Sequence, residues 1–249
     1  MIRYLYDSTV NMTLDLGCGH GFETYVEGKK NYTVGIDNDE VNIQQCRARY
    51  PGSIFAVMSA EQLAFQKSVF SKIISHDLLE HVLSPENVLS EVYRVLRYNG
   101  RLDVIVPHPR SEKILVWARP TYLSDIGHQR VFGLGKLQDL IRAEGLDIEK
   151  EYISGFLNAV YLFLVLMMRR GPAQLNGDTS IFDWRSHWLH ALFHISMIHF
   201  DPVILHTPLR YSPIAIITVP VGRVIDKIFR HMLPKSQNII AVKSIGNVQ

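Results

Sequence analysis

Apolar residues recur through the first 150 positions in short runs, and these runs alternate with stretches of helical spacing. The runs at 13–16, 32–36, 53–58, 72–75 and 101–106 have strand length and lie between polar, glycine or proline residues, which predicts five strands. Between them, the segment 39–50 puts Val41, Ile43 and Cys46 on one side of a helix that stops at Pro51-Gly52. The segment 84–97 opens with Ser84 as N-cap and Pro85 at the first helical position. Val88, Leu89, Val92, Val95 and Leu96 then follow at helical spacing until Gly100. Strands alternating with helices of this length predict an α/β chain with a parallel sheet covered on both faces.

The pattern changes after residue 150. Positions 152–168 hold no charged residue and are closed by Arg169-Arg170. Positions 184–200 are rich in aromatics and histidine, and 213–222 are again uncharged. A basic amphipathic stretch follows (Arg223, Lys227, Arg230, His231), and after Pro234 the segment 238–242 reads as one more strand. The expected organisation is a core over 1–153, an apolar helical insertion over 154–236, and the final strand and tail over 237–249. The uncharged run at 152–168 is near the lower limit for a spanning helix, and its first residues belong to a strand. Prolines at 202, 208, 213 and 220 break the later runs. Two readings of the insertion stay open. Its helices dip into one leaflet, with Arg169, Arg170, Arg223, Lys227 and Arg230 meeting anionic headgroups and Trp184, Trp188 and Tyr211 at the interface. Alternatively, it is an internal lid or a dimer interface.

Composition narrows the function classes. Of the 249 residues 47% are hydrophobic and 20% charged, so the chain is globular. Lysine plus arginine is 26 against 24 acids, a net charge of +2, which gives no support for a nucleic-acid partner. Two cysteines, Cys18 and Cys46, exclude a disulfide scaffold and fit a reducing cytoplasm. Residues 1–11 alternate apolar with polar positions and read as no signal peptide. The expected location is cytoplasmic, with peripheral contact on the inner face of the membrane if the first reading of the insertion holds.

The chemistry gathers at the ends of the early strands. Leu14-Asp15-Leu16-Gly17-Cys18-Gly19-His20-Gly21 carries a strand into a glycine loop that opens a helix. Glycines let backbone approach a bound nucleoside where a Cβ would clash. Asp37 ends the next strand 20 residues after Gly17, a spacing at which a carboxylate accepts both ribose hydroxyls of an adenosine. The glycines follow G-x-G-x-G, and Phe22 stands where the dinucleotide fingerprint needs its third glycine. Asp15 adds negative charge where a pyrophosphate would lie. It suits a ligand with a positive end, such as the amino group and sulfonium of S-adenosylmethionine.

With these motifs, residues 13–150 resemble a class I S-adenosylmethionine-dependent methyltransferase of the type-11 group, which includes the ubiquinone and menaquinone methyltransferases. The resemblance extends to Ser59-Ala60-Glu61-Gln62-Leu63-Ala64-Phe65, similar to the family's G-D-A-E-x-L-P-F loop near the adenine, and to Leu79-Glu80-His81-Val82-Leu83-Ser84-Pro85. It implies a doubly wound, Rossmann-like sheet of seven strands, the last antiparallel, with 238–242 as that strand. It implies S-adenosyl-L-methionine as cofactor, held by Asp15, Gly17, Cys18, Gly19 and Gly21 on the loop, by Asp37 and Asn38 at the second strand tip, and by Ala60, Glu61 and His76. Ser59 stands where the family often has an aspartate for the adenine amino group, so Glu61 or the backbone of Ala60 is expected to serve instead. Tyr98-Asn99-Gly100 replaces the usual Pro-Gly-Gly, and the family's helix before the first strand has few residues to form it here.

Methyl transfer is an in-line displacement in which positioning supplies much of the rate, and an oxygen acceptor also benefits from a base. The groups at the strand tips are Ser75, His76, Asp77 and His108. His128 lies in a segment, 125–132, similar to the H-x-R-x-F element of methyltransferases from saccharide-modifying pathways. His128 is the first candidate base, with Asp77 or His76 next. Asp77, Glu80 and His81 resemble the cation-holding set of ubiquinone-type O-methyltransferases. The same run occurs in the family without metal, and no metal is expected. His187, His190 and His194 share one helical face among aromatic residues and read as a polar stripe. The expected function is methyl transfer, at oxygen, to a small-molecule, lipid or lipid-linked glycan acceptor. The alternatives are a non-catalytic nucleoside-binding relative acting through its insertion, and an NAD(P)-dependent oxidoreductase.

Overall fold

The computed structural model describes residues 10–156, 159–160, 162–163 and 224–244. Its elements in chain order are β1 (Met12–Leu16), α1 (Phe22–Glu27), β2 (Tyr32–Asp37), α2 (Glu40–Arg49), β3 (Ile54–Val57), β4 (Phe70–His76), α3 (Pro85–Val95), β5 (Leu96–Pro107), α4 (Pro109–Ala118), α5 (Tyr122–Asp125), α6 (Lys136–Ala143), β6 (Asp147–Ser154) and β7 (Ser236–Val242). The strands form one seven-stranded sheet in the order β3-β2-β1-β4-β5-β7-β6. β1 pairs in parallel with β2 and β4, β2 with β3, and β4 with β5. β7 runs against β5. The Gly100 carbonyl accepts from Lys243 N at one end of the pair, and the Lys235 carbonyl accepts from His108 N at the other. The sheet is therefore the doubly wound, Rossmann-like arrangement with an antiparallel last strand.

The chain splits into two units, Met1–Val106 with Phe132–Tyr152 and Asn238–Gln249 (unit 1), and Pro107–Val131 with Ile153–Gln237 (unit 2). Most of the expected insertion, including Trp184, His187, Trp188, His190, His194 and Tyr211, lies outside the described residues. No helix among the described residues is long and apolar enough to cross a membrane.

In unit 1, alternate residues of the central strands decide the layers. Leu14, Leu16, Ile73, Leu102 and Val104 point to one face and pack with Val88, Leu89, Val92 and Val95 of α3 and Leu137 and Ile141 of α6, all of them buried. Each such side chain contributes about 1.5–3 kcal/mol through burial. The intervening residues Thr13 and Asp15 are buried on the other face, where Asp15 meets Thr24 of α1. A smaller cluster of Cys18, Ile43, Cys46 and Phe55 packs α2 against β3 and the glycine loop.

The largest boundary difference from the sequence pattern lies between α3 and β5. The helix expected over 84–97 ends at Val95, and β5 starts at Leu96 rather than 101. Helical apolar spacing continues through Leu96, so periodicity alone does not mark the exit. The Lys243 ammonium does, by donating to the carbonyls of Tyr93 and Leu96 at 2.7 and 3.1 Å. At the other end of α3, Ser84 occupies the N-cap but its hydroxyl makes no cap bond. Glu61 caps instead, its Oε1 accepting from Leu83 N and Ser84 N, both at 3.1 Å. In unit 2, Leu115 and Tyr122 form a separate buried cluster with Leu123, Ile126, Leu162 and Phe163.

Candidate cofactor site and acid–base groups

The sheet order reverses direction between β1 and β4. Ligands of open α/β sheets bind outside the carboxyl ends of strands at such a point. The loop after β1 is built there. Gly17, Gly19 and Gly21 all have positive φ, +68°, +47° and +76°. Gly21 N donates to the Cys18 carbonyl at 2.8 Å, and Cys18 N donates to the Ile36 carbonyl at 2.9 Å. A Cβ on Gly21 would lie 2.8 Å from both the Cys46 sulfur and the Phe55 ring, so this glycine lets the loop pack onto α2 and β3. A Cβ on Gly19 would meet nothing within 4 Å. The space over Gly19 is open, which is where the backbone can receive a nucleoside.

Asp37 closes the loop from β2. Its Oδ2 accepts from Gly19 N and its Oδ1 from Asp39 N, both at 2.9 Å. Each carboxylate oxygen has a second lone pair, so the group is held rigidly and can still accept ribose hydroxyls. Asn38 follows it, exposed. Asp15 is buried beneath the loop and accepts from the Thr24 hydroxyl at 2.6 Å. Burial raises its pKa to about 7, against the lowering effect of the Thr24 bond. The Cys18 and Cys46 thiols are pushed up by burial as well. Cys46 donates to the Gly19 carbonyl at 3.1 Å.

The loop 59–65 is set from α3. Leu63 N donates to Glu91 Oε2 at 2.7 Å, and the Arg94 guanidinium donates to the carbonyls of Phe65 and Leu63 at 2.7 and 2.8 Å. Ala60 is buried. Glu61 is turned to the N-terminus of α3, where its Oε1 accepts from Leu83 N and Ser84 N.

At the tip of β4, Ser75 is buried and His76 lies between two carboxylates, Glu23 at 2.7 Å from Nδ1 and Asp103 at 3.7 Å from Nε2. Burial favours the neutral ring, but Asp103 and Glu23 outweigh it and raise the pKa to about 10. The two carboxylates thus favour the imidazolium form of His76. Asp103 is held below the usual carboxylate range by His76, which overcomes its own burial. Asp77 follows with φ +48°, a left-handed conformation rare outside glycine, its N donating to the Ile105 carbonyl at 2.9 Å. Asp77 and His81 are exposed and Glu80 is buried.

Unit 2 holds the other expected base. His128 follows Gly127, whose φ is +76°, and its Nδ1 lies 3.0 Å from Glu112 Oε2. Both side chains are buried. A carboxylate only accepts, so Nδ1 carries the proton and the basicity of the neutral ring lies on Nε2. His108 is buried at the N-cap of α4, its Nδ1 accepting from Arg110 N at 3.1 Å. Burial first, then Arg110, holds His108 below the usual imidazole range.

Glu23, Thr24, Asp103 and Glu112 were not legible as site residues. Glu23 is 53 positions from His76 and Glu112 is 16 from His128, with no motif joining either pair. Strand register was the available signal for Asp103: it pairs with Ile74, two residues before His76 on the same face.

The sheet order, the antiparallel β7 and the glycine loop closed by Asp37 define a class I Rossmann-like methyltransferase fold. Residues 14–104 match the family described as Methyltransferase domain. Among sequence relatives, a probable S-adenosylmethionine-dependent methyltransferase of Mycolicibacterium smegmatis is 26% identical over 137 residues, covering 55% of this chain and 52% of the relative. Arsenite methyltransferase of Rattus norvegicus is 33% identical over 122 residues, covering 41% of this chain and 33% of the relative. The chain thus spans about half the length of the first relative and a third of the second. Among solved structures, a SAM-dependent methyltransferase from Archaeoglobus fulgidus superposes with TM-score 0.54 and 17% identity over 97% of this chain and 90% of its own. The cyclase SpnF superposes with TM-score 0.58 and 19% identity over 97% and 78%. S-adenosylmethionine is the cofactor of this family. The open backbone at Gly19, the anchored Asp37 carboxylate and the Asp15 carboxyl buried beneath the loop fit it.

Proposed function

We propose that the protein is an S-adenosylmethionine-dependent methyltransferase acting at an oxygen of a small-molecule, lipid or lipid-linked glycan acceptor. The observation that carries this reading is the Gly19–Asp37 closure: a glycine loop with open space above it, tied by a backbone bond to the carboxylate that suits a ribose. When bound, S-adenosylmethionine supplies a methyl group already activated by a sulfonium.

The residues of this chain have three tasks. Asp37 orients the ribose, while the backbone of the Gly17–Gly21 loop and of residues 59–61 encloses the nucleoside. Asp15 places negative charge under the positive end of the ligand. His128, fixed by Glu112 so that Nε2 is basic, accepts the acceptor's proton, with Asp77 as second candidate.

An oxygen acceptor is favoured over arsenite, the substrate in the names of the rodent relatives. Arsenic(III) is thiophilic and calls for accessible thiolates, whereas both cysteines of this chain are buried with their thiols pushed up. The presence of a cyclase among the structural neighbours shows that this fold alone does not dictate methyl transfer. The experiment is transfer of labelled methyl from S-adenosylmethionine to a panel of quinone precursors, lipids and lipid-linked saccharides. Label in one acceptor class, lost in His128→Ala, supports the reading. Cofactor binding without label in any class supports the non-catalytic alternative.

A further inference from the structure

The charges of unit 2 are arranged unevenly. Its described residues include seven arginines and lysines but three acids. Each acid has an internal partner. Glu112 lies at His128, Asp125 at 2.6 Å from Arg119, and Asp226 accepts from Phe156 N at 2.6 Å. Arg110, Lys113 and Lys227 are exposed.

These cations share helical faces with exposed apolar side chains. On α4 the exposed positions are Arg110, Lys113, Ile114 and Trp117, a spacing that defines one stripe. The helical turn at 224–229 and the turn after it expose Val224, Lys227, Ile228 and His231 at the same spacing, followed by Met232. The Arg110 guanidinium donates to the His231 carbonyl at 2.9 Å and ties the two segments together. Trp117 is 73% exposed, Ile228 62% and Met232 68%. Large apolar side chains left this open beside cations, with no acid exposed among the described residues of the unit, form the pattern that lies in a lipid interface. The apolar groups enter the boundary of the acyl chains, tryptophan suits the headgroup level, and the cations meet acidic headgroups. A nucleic acid would use the cations but leave the apolar groups in water.

We propose that unit 2 docks on an anionic phospholipid surface through Trp117 and Ile114 of α4 and through Val224, Ile228 and Met232, with Arg110, Lys113 and Lys227 as the headgroup contacts. The inference stands independently of the methyl-transfer reading. The test is co-sedimentation of the full chain with vesicles of phosphatidylcholine alone and of phosphatidylcholine mixed with phosphatidylglycerol. The expected result is partition onto the acidic vesicles only, with a blue shift of tryptophan fluorescence and release at high salt. Removing Lys113 and Lys227 together (K113A/K227A) lowers the partition coefficient by about fivefold for each cation. The double variant W117Q/I228Q loses partition while its circular dichroism and S-adenosylmethionine titration match the parent. No partition onto acidic vesicles overturns the proposal, as does equal partition onto neutral ones. Unchanged partition of the folded W117Q/I228Q protein also overturns it. A dimer by light scattering together with no vesicle binding would assign the face to a second copy of the chain.

Discussion

The glycine loop of unit 1 and the histidine pair of unit 2 hold their polar groups in opposite ways. In unit 1 the loop and the carboxylate that closes it are fixed by backbone: Asp37 by two amides, and the glycine loop by its own turn. In unit 2 the paired groups are side chains on different elements, Glu112 with His128 and Arg119 with Asp125, and Arg110, Lys113 and Lys227 are exposed. The contrast teaches which kind of task leaves a mark in sequence. A loop that must bring its backbone to a ligand needs glycines at set positions, and that spacing is readable. A pair of side chains needs only proximity, which any loop length can supply.

The sharpest way to break this comparison is to separate binding from chemistry. His128→Ala is expected to cut methyl transfer by about 10²–10⁴-fold while leaving S-adenosylmethionine affinity unchanged, and Glu112→Gln falls between it and the parent. Transfer rates and calorimetric affinities measured on the same preparations check this. A His128→Ala protein that loses cofactor affinity instead would move His128 out of the acid–base role.

Two glycines in one loop provide the next test. Gly21→Ala places a Cβ against Phe55 and Cys46 at positive φ, so it is expected to cost about 2–5 kcal/mol of stability. Gly19→Ala meets open space and costs only about 1–2 kcal/mol through its φ, yet it occupies the place of the ligand. Thermal melting should therefore rank Gly21→Ala as the worse folder, while Gly19→Ala remains folded and fails to bind S-adenosylmethionine.

Two titrating groups of unit 1, Asp15 and His76, give a pH dependence of known sign. Asp15 keeps a proton in the folded state up to about 7, where the unfolded chain has lost it near 4. Stability is therefore expected to fall as pH rises through that window, by about 4 kcal/mol at most. His76 keeps its proton up to about 10, where the unfolded chain loses it near 6.5, so its contribution is complete below that value and is lost as pH rises through 10. Asp15→Asn should flatten the acidic part of the melting profile and His76→Gln the alkaline part. A ligand with a positive end draws Asp15 toward its carboxylate. S-adenosylmethionine binding near pH 6 should then release protons, measurable in buffers of different ionisation heat, and Asp15→Asn should abolish that release.

The smallest effect belongs to the helix cap. Glu61→Ala removes the acceptor for Leu83 N and Ser84 N and is expected to cost about 0.5–2 kcal/mol. Its cofactor affinity should change little, in contrast with Asp37→Ala.

Much of unit 1 was legible because its signals are local. The strand-loop-helix at 14–21, the carboxylate 20 residues later and the capped helix at 84 follow from spacing, turn chemistry and propensity. The start of β5 was not legible, since the apolar positions of α3 run on into it and the residue that ends the helix, Lys243, is far along the chain. The true cap of α3 was also hidden, because Ser84 occupies the right position while Glu61 makes the bonds. The surroundings of His76 were hidden because its two carboxylates arrive from α1 and β5. His128 stood out through a family resemblance, but its partner Glu112 carries no motif at all.

The central claim is that the Gly17–Gly21 loop and Asp37 hold the adenosine of S-adenosylmethionine. Calorimetric titration of the purified chain with S-adenosylmethionine, S-adenosylhomocysteine and NADH tests it most directly. The account predicts binding of both sulfur nucleosides, loss of both in Asp37→Ala, and no heat with NADH. Binding of NADH, or of none of the three by the folded protein, would contradict it.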